Sequence, residues 1–241
     1  MTEFTTHIKP EKPNKTGKLY GIGVGPGDPE LLTLKAVRLI KECDVIAVPG
    51  TQKEETVAYK IVKQAVPEIA EKECLEVDMP MTKDRETLEQ NHKAAFEKVS
   101  QVLDSGKSIA FLTLGDPCVY STYIYIHKKA GRAGYETEIV SGIPSFCAVS
   151  ARLNEGLVER SEMLHIIPSS YGIEKGMELP GTRVLMKAGK KMGQVREQLK
   201  KMNVQVSMIE NCGMENERIY HSAEEIPEEA GYYSLIIVKE Q

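Results

Sequence analysis

Between Lys18 and Arg152 short apolar runs alternate with helical patterns, and four of the runs empty into glycine- or proline-rich turns. Parallel strands need a crossover between them, whereas hairpins need only a tight turn, so this alternation predicts a mostly parallel sheet with helices on its faces. The strands expected are Leu19–Val24, Asp44–Val48, Ser108–Leu114 and Thr137–Val140. The helices expected are Glu30–Cys43, with Leu32, Ala36, Leu39, Ile40 and Cys43 on one face, then Val57–Val66, Lys83–Leu103, Val119–Lys129 and Ser145–Arg152. Asp28 followed by Pro29 supplies an N-cap and a favoured first helical residue.

After Asn154-Glu155-Gly156 the texture changes. Met163–Ile167, Thr182–Ala188, Val204–Ile209, Glu217–Tyr220 and Tyr232–Val238 read as strands, with one clear helix at Lys191–Met202. More strands per helix implies a mixed sheet with antiparallel pairs. The fold class expected is therefore α/β, in two α/β domains: 17–153 with a mostly parallel sheet and 154–241 with a mixed one, the linker falling near 152–160. Residues 1–16, with two prolines and mixed charge, read as a loose N-terminal arm.

Composition removes several function classes. With 31 Lys+Arg against 35 Asp+Glu the net charge is −4, and no basic block offers a footprint for a phosphate backbone, so nucleic acid is not an expected partner. No apolar run reaches the roughly 20 residues of a bilayer span, and the polar start lacks a secretory signal core, so a cytoplasmic protein without a membrane partner is expected. The cysteines at 43, 74, 118, 147 and 212 form no C-x-x-C pair, and the five histidines form no ligand pair, so no protein-built metal site is expected.

Three loops carry the chemistry. The first, Gly21-Ile22-Gly23-Val24-Gly25-Pro26-Gly27-Asp28, joins the first strand to the first helix. Its spacing breaks the dinucleotide fingerprint: G-x-G-x-x-G counted from Gly21 ends on Pro26, and counted from Gly23 ends on Asp28. Pro26 has no N–H, and a carboxylate at Asp28 competes with a phosphate for the helix amides. The second loop, Phe111-Leu112-Thr113-Leu114-Gly115-Asp116-Pro117-Cys118-Val119-Tyr120-Ser121-Thr122, again lies at the carboxyl end of a strand. Asp116 there is either a hydrogen-bond acceptor for a ligand or a helix cap. The third, Val140-Ser141-Gly142-Ile143-Pro144-Ser145-Phe146, closes into a helix and offers the Ser145 hydroxyl and backbone. Ligands of open α/β sheets bind at the carboxyl ends of strands, so three such turns predict a composite binding site. There is no G-x-S-x-G elbow, Walker loop or Cys/His pairing, which favours a reaction that needs positioning more than acid-base machinery.

The runs GKLYGIGVGPGDPELLTLKAVRLIKECDVIAVPG, FLTLGDPCVYSTYIYI and VSGIPSFCA resemble the tetrapyrrole methylases, from Gly17 to the C-terminus. The resemblance implies two α/β domains with S-adenosylmethionine in the cleft between them. It carries the cofactor contacts onto Pro26, Leu114, Gly115, Asp116, Val119, Ser145, Phe146, Lys187 and Cys212; at the last two other members often have Met and Gly. The GDPCVYSTYIY run and the following PSF resemble those members that methylate C20 of precorrin-2 or cobalt-factor II in cobalamin biosynthesis. A homodimer is the family habit.

The resemblance implies attack of an electron-rich ring carbon on a sulfonium methyl, for which no dedicated base is required; no catalytic residue is named. Asp28 and Tyr123 are candidates for touching the macrocycle, each with a structural alternative, Asp28 as a cap and Tyr123 as a core aromatic. Lys53, Arg152, Lys187, Lys190 and Lys191 are candidate partners for the substrate carboxylates, or solvated surface charges. The alternatives are a methylase acting at another ring carbon, a non-catalytic S-adenosylmethionine-binding module, and a plain nucleotide-binding domain, against which the broken glycine spacing counts.

Overall fold

The computed structural model describes residues 17–80, 82, 84–169 and 173–240, so the expected arm at 1–16 and the expected helix start at Lys83 lie outside the described residues. The chain divides into two compact units. Of the described residues, one comprises those within 17–23, 33–113 and 117–141; the other comprises those within 24–32, 114–116 and 142–240. The boundary near 152–160 expected from sequence thus lies inside the second unit, where the helix Ser145–Arg152 packs on the sheet of that unit.

The first unit is built on five strands, β1 (Lys18–Gly23), β2 (Val45–Pro49), β3 (Glu73–Val77), β4 (Ile109–Thr113) and β5 (Glu136–Val140). They lie in the order β3-β2-β4-β1-β5 with every neighbouring pair parallel. Four helices supply the crossovers: α1 (Leu34–Glu42), α2 (Val57–Ala65), α3 (Arg85–Asp104) and α4 (Tyr123–Ala133). A parallel sheet covered on both faces needs apolar residues in succession, and β4 is buried at all five positions, Ile109 to Thr113.

Three differences from the sequence expectations have local causes. The helix expected over Glu30–Cys43 is broken: a 3-10 turn at Pro29–Leu31 is followed by Leu32 and Thr33 in extended backbone, and α1 then starts afresh with the Thr33 hydroxyl accepting the Ala36 N–H at 3.2 Å. A threonine side chain that offers the backbone its own acceptor restarts a helix at that point. Helix α4 begins at Tyr123 rather than Val119, because Tyr120 has a left-handed φ of 49° and the Ser121 hydroxyl accepts the Tyr123 N–H. Strand β3 has no counterpart among the expected elements; it is an edge strand carrying Glu73 and Glu76, and its only fully buried residue is Val77.

The second unit holds α5 (Ser145–Arg152), β6 (Leu164–Pro168), the short α6 (Glu174–Met177), β7 (Thr182–Met186), α7 (Met192–Leu199), β8 (Val204–Glu210), β9 (Arg218–Tyr220) and β10 (Ser234–Glu240). Its sheet runs β6-β7-β10-β8-β9, with β6 parallel to β7 and the remaining pairs antiparallel, the mixed sheet that the change of texture predicted. One face is sealed by Leu185, Met208, Ile236 and Val238 against Met192, Val195 and Leu199 of α7.

In the first unit Gly21 of β1 makes room for one large ring. A Cβ there would lie 2.0 Å from Cε1 of Tyr123, whose ring also packs on Phe111 at 5.2 Å between centroids. Tyr123 is 1% exposed, and its hydroxyl lies 3.2 Å from Nδ1 of His127. Gly21→Ala is therefore expected to destabilise the protein by about 1–3 kcal/mol through overpacking, whereas Tyr123→Phe, which keeps the ring, costs about 1 kcal/mol or less. Urea denaturation of the two variants checks this ordering.

Candidate functional site

The second unit takes in the two loops that leave β1 and β4, and they are joined to each other. Gly25 and Gly115 form an isolated bridge, Gly25 N–H donating to the Gly115 carbonyl at 3.2 Å and Gly115 N–H to the Gly25 carbonyl at 2.8 Å. Their φ values are +75° and +69°, in the left-handed region where glycine is free of the Cβ penalty. One residue of each strand's continuation is thereby pinned in a conformation that other residues enter only with strain.

Two further ties follow along the chain. Asp116 is 8% exposed, and its Oδ2 accepts the Gly142 N–H at 3.0 Å, fixing the second loop to the third. Of the two roles weighed for Asp116, the helix cap is not the one seen: α4 starts seven residues later, from Thr122, without a side-chain cap. Pro144 in extended backbone then leads into α5, whose first residues Ser145 and Phe146 are half-buried and buried. On the other side Gly27 meets the turn after β8 so closely that a Cβ would lie 2.1 Å from the Cys212 carbonyl oxygen. The reciprocal approach is as tight: a Cβ at Gly213 would lie 2.6 Å from the Asp28 nitrogen.

Asp28 accepts the Glu30 N–H at 2.8 Å and so performs the capping role that was one of its two alternatives. Lys187 follows β7 with φ +59°, its ammonium 5.9 Å from the centre of the Tyr232 ring. Because β7 and β8 both run antiparallel to β10 and flank it, Lys187 and Cys212 leave the sheet at the same edge, on either side of the start of β10. The second unit thus brings together Pro26, Leu114, Gly115, Asp116, Ser145, Phe146, Lys187 and Cys212, with Pro26 and Gly115 buried. Val119 lies in the first unit, in the turn before α4. Of the two roles given for Tyr123 the core aromatic is the one seen: its ring packs beneath Gly21 and its hydroxyl lies 3.2 Å from His127 Nδ1.

The basic residues put forward for substrate carboxylates are partly committed elsewhere. Arg152 donates from Nε to Glu217 at 2.7 Å, and the Lys53 ammonium sits 5.5 Å from the centre of the Tyr59 ring. Ser169, which no motif singles out, follows β6 beside Lys187 at the same sheet edge; it is fully buried, and among the described residues its hydroxyl has no hydrogen-bond partner. No sequence signal marks it beyond its place directly after a strand. A hollow of about 300 Å³ between the end of α7 and the start of β8, lined by Leu199, Met202, Val206 and Ala223, shares no residue with these loops.

A parallel α/β sheet, a mixed sheet in a second unit, and glycine-determined loops knotted together at strand exits define a ligand-binding α/β protein whose site is built chiefly from main chain. The model of the tetrapyrrole (corrin/porphyrin) methylases matches residues 18–227, and the chain belongs to that family. It is 40% identical over 195 residues to a probable cobalt-precorrin-2 C(20)-methyltransferase of Methanocaldococcus jannaschii, covering 80% of this chain and 77% of that protein. It is 28% identical over 236 residues to a precorrin-2 C(20)-methyltransferase of a Sinorhizobium species, covering 92% and 95%. Among solved structures a cobalt precorrin-4 methyltransferase superposes with a TM-score of 0.72 at 19% identity, covering 92% of this chain and 94% of that one. The uroporphyrin-III C-methyltransferase of Thermus thermophilus complexed with S-adenosylhomocysteine gives 0.68 at 23%, covering 93% and 98%; both show the fold.

Two outcomes are expected. Asp116→Ala leaves the buried Gly142 N–H without its acceptor and is expected to cost about 1–3 kcal/mol, with Asp116→Asn costing less because an amide oxygen can still accept; urea denaturation measures both. The Cys212 thiol is pushed up to about 11, mainly by burial. At pH 8 it is expected to alkylate roughly a hundredfold more slowly than an exposed cysteine, by mass-resolved iodoacetamide labelling.

Proposed function

We propose that the protein is an S-adenosylmethionine-dependent methyltransferase acting on C20 of precorrin-2 or its cobalt form, cobalt-factor II, in cobalamin biosynthesis. The observation that carries the proposal is the 40% identity, over 80% of the chain, to a relative named for C20 methylation of cobalt-precorrin-2. That relative, more similar than the 28% Sinorhizobium enzyme named for precorrin-2 itself, also favours the cobalt-bearing ring as the substrate.

The loops fit the cofactor. Main-chain groups of 25–28 touch those of 114–116 through Gly25 and those of 212–213 through Gly27 and Asp28, and at Gly27 and Gly213 a Cβ would close the approach. When bound, S-adenosylmethionine supplies a methyl group already activated by a positive sulfur. The work left to the chain is to hold the donor and the ring in line and to keep water out, and well-oriented reactants lower a barrier by several kcal/mol, about 7–11 in the best cases. Pro26, Leu114, Gly115, Asp116, Ser145, Phe146, Lys187 and Cys212 form the holding surface in this reading. Asp116 serves the site by fixing the third loop, and Asp28 by holding the first turn as a cap. The new carbon–carbon bond at C20 is followed by loss of a proton to solvent, so no side chain is assigned as a base.

A homodimer in the cytoplasm completes the reading. Among the described residues no helix is long and apolar enough to cross a membrane. In the first unit Leu34, 90% exposed at the start of α1, and the half-exposed Tyr120 and Tyr125 are apolar surface of the kind that a second copy covers. Incubation with methyl-labelled S-adenosylmethionine and either ring is expected to give label at C20, faster with the cobalt form. Label at another ring carbon overturns the regiochemistry, and cofactor binding without transfer to either ring reduces the protein to a binding module.

A further inference from the structure

The three loops and the turn after β8 are closed into a circuit by a pair of side chains that no feature of the sequence marks. Helix α5 starts directly after the third loop and carries Ser145 and Phe146 in its first turn; its last residue is Arg152. Arg152 Nε donates to Glu217 Oε1 at 2.7 Å, and the other oxygen of the same carboxylate accepts the Gly213 N–H at 2.9 Å. Gly213 in turn is the residue pressed against Asp28. The path therefore runs from Gly142 through α5 to Arg152, across Glu217 to Gly213, over to Asp28 and back through Gly25 and Gly115 to Asp116, which holds Gly142. All of these residues belong to the second unit. The Glu217 side chain is 14% exposed, so its bonds are partly shielded from water, and a carboxylate accepting from both a guanidinium and a main-chain N–H makes two of the stronger kind of hydrogen bond.

Resting on the reading of these loops as the cofactor site, we propose that Glu217 and Arg152 are positioning residues for S-adenosylmethionine: they hold the Cys212–Gly213 turn at the spacing from Gly27 and Asp28 at which the cofactor is gripped. Glu217 acts on the turn directly, and Arg152 acts through Glu217 by fixing the direction of its carboxylate. Neither touches the cofactor. The turn has local bonds of its own, Met214 N–H to the Asn211 carbonyl at 2.9 Å and Glu217 N–H to the Met214 carbonyl at 3.1 Å. Loss of the latch therefore changes where the turn sits and leaves it folded.

The test is calorimetric titration of S-adenosylhomocysteine into the full chain and into four variants, Glu217→Ala, Glu217→Gln, Arg152→Ala and the double Arg152→Ala/Glu217→Ala, with thermal midpoints recorded for each. Removing a charged hydrogen-bond partner that preorganises a site is expected to weaken binding about tenfold in Glu217→Ala and about threefold in Arg152→Ala, where Gly213 keeps its acceptor. Glu217→Gln, which also keeps an acceptor for Gly213, is expected to match Arg152→Ala. Because Arg152 works through Glu217, the double variant binds no more weakly than Glu217→Ala alone. In turnover the KM for S-adenosylmethionine rises in step while kcat changes by less than about twofold, a split that general loss of folded protein does not produce.

Equal affinity in the parent and Glu217→Ala overturns the latch, and so does strict additivity in the double variant. Should Glu217→Ala fail to fold, Glu217→Gln and Arg152→Ala decide the matter alone: parent-like affinity in both overturns it, and a matched loss supports it. Failure of the parent itself to bind S-adenosylhomocysteine overturns the cofactor reading and is a separate result.

Discussion

The reciprocal pair of hydrogen bonds between Gly25 and Gly115 is the contact on which the candidate site depends. Strands β1 and β4 are parallel neighbours with Gly23 opposite Thr113, and two residues beyond that register their continuations bond to each other in the antiparallel sense. Both chains must turn to do this, and both do so through a left-handed glycine. Once they are locked together, the residues that follow have little freedom. Pro26, with φ fixed by its ring, sends Gly27 and Asp28 toward the turn after β8, and Asp116 is left with its carboxylate against Gly142. A side chain at either glycine would strain the bridge and loosen every tie downstream of it.

A site assembled this way is suited to one kind of chemistry. Its ties are main-chain bonds and close main-chain approaches, joined by carboxylates at Asp28, Asp116 and Glu217 that hold N–H groups. Such a surface can fix the position of a donor whose leaving group is already charged, because there the barrier falls with alignment and dehydration. The Cys212 thiol, raised by burial, is built to stay neutral, so its contribution at this turn is the carbonyl that faces Gly27.

How much of this was legible in the sequence depended on whether the signal was local. Strands β1, β2 and β4 announce themselves as apolar runs because they lie inside the sheet and are largely buried, edge strand β5 only through Ile139 and Val140 at its end, and the three loops as glycine and proline at strand exits. Edge strand β3 does not, since half of its surface is wet and Glu73 and Glu76 break the run. The interruption at Leu32–Thr33 was hidden for the opposite reason: the helical spacing of Leu32, Ala36 and Leu39 continues across it, and only the hydroxyl of Thr33 tells the chain to start again. Tyr123 stands next to a motif in sequence yet packs under Gly21, about a hundred residues away along the chain. The Arg152–Glu217 pair spans 65 residues and carries no pattern at all. Proximity across such distances is a property of the sheet order, which periodicity cannot supply.

The backbone also records where the fold has accepted a cost. Among the described residues five non-glycine positions have a left-handed φ, and three of them, Tyr120, Lys187 and Asn211, adjoin or coincide with the candidate contacts at Val119, Lys187 and Cys212. Each such conformation costs of order 1–3 kcal/mol, less for asparagine, and persists only where its surroundings over-determine it. At Lys187 and Asn211 the surroundings are plain: both residues leave the sheet beside the start of β10, and the Asn211 N–H is held by the Tyr233 carbonyl at 2.9 Å. A glycine at 187 would relieve the strain but would also remove the ammonium that lies over the Tyr232 ring. The cost at 187 is thus tied to a side chain that makes a contact of its own at this edge of the sheet.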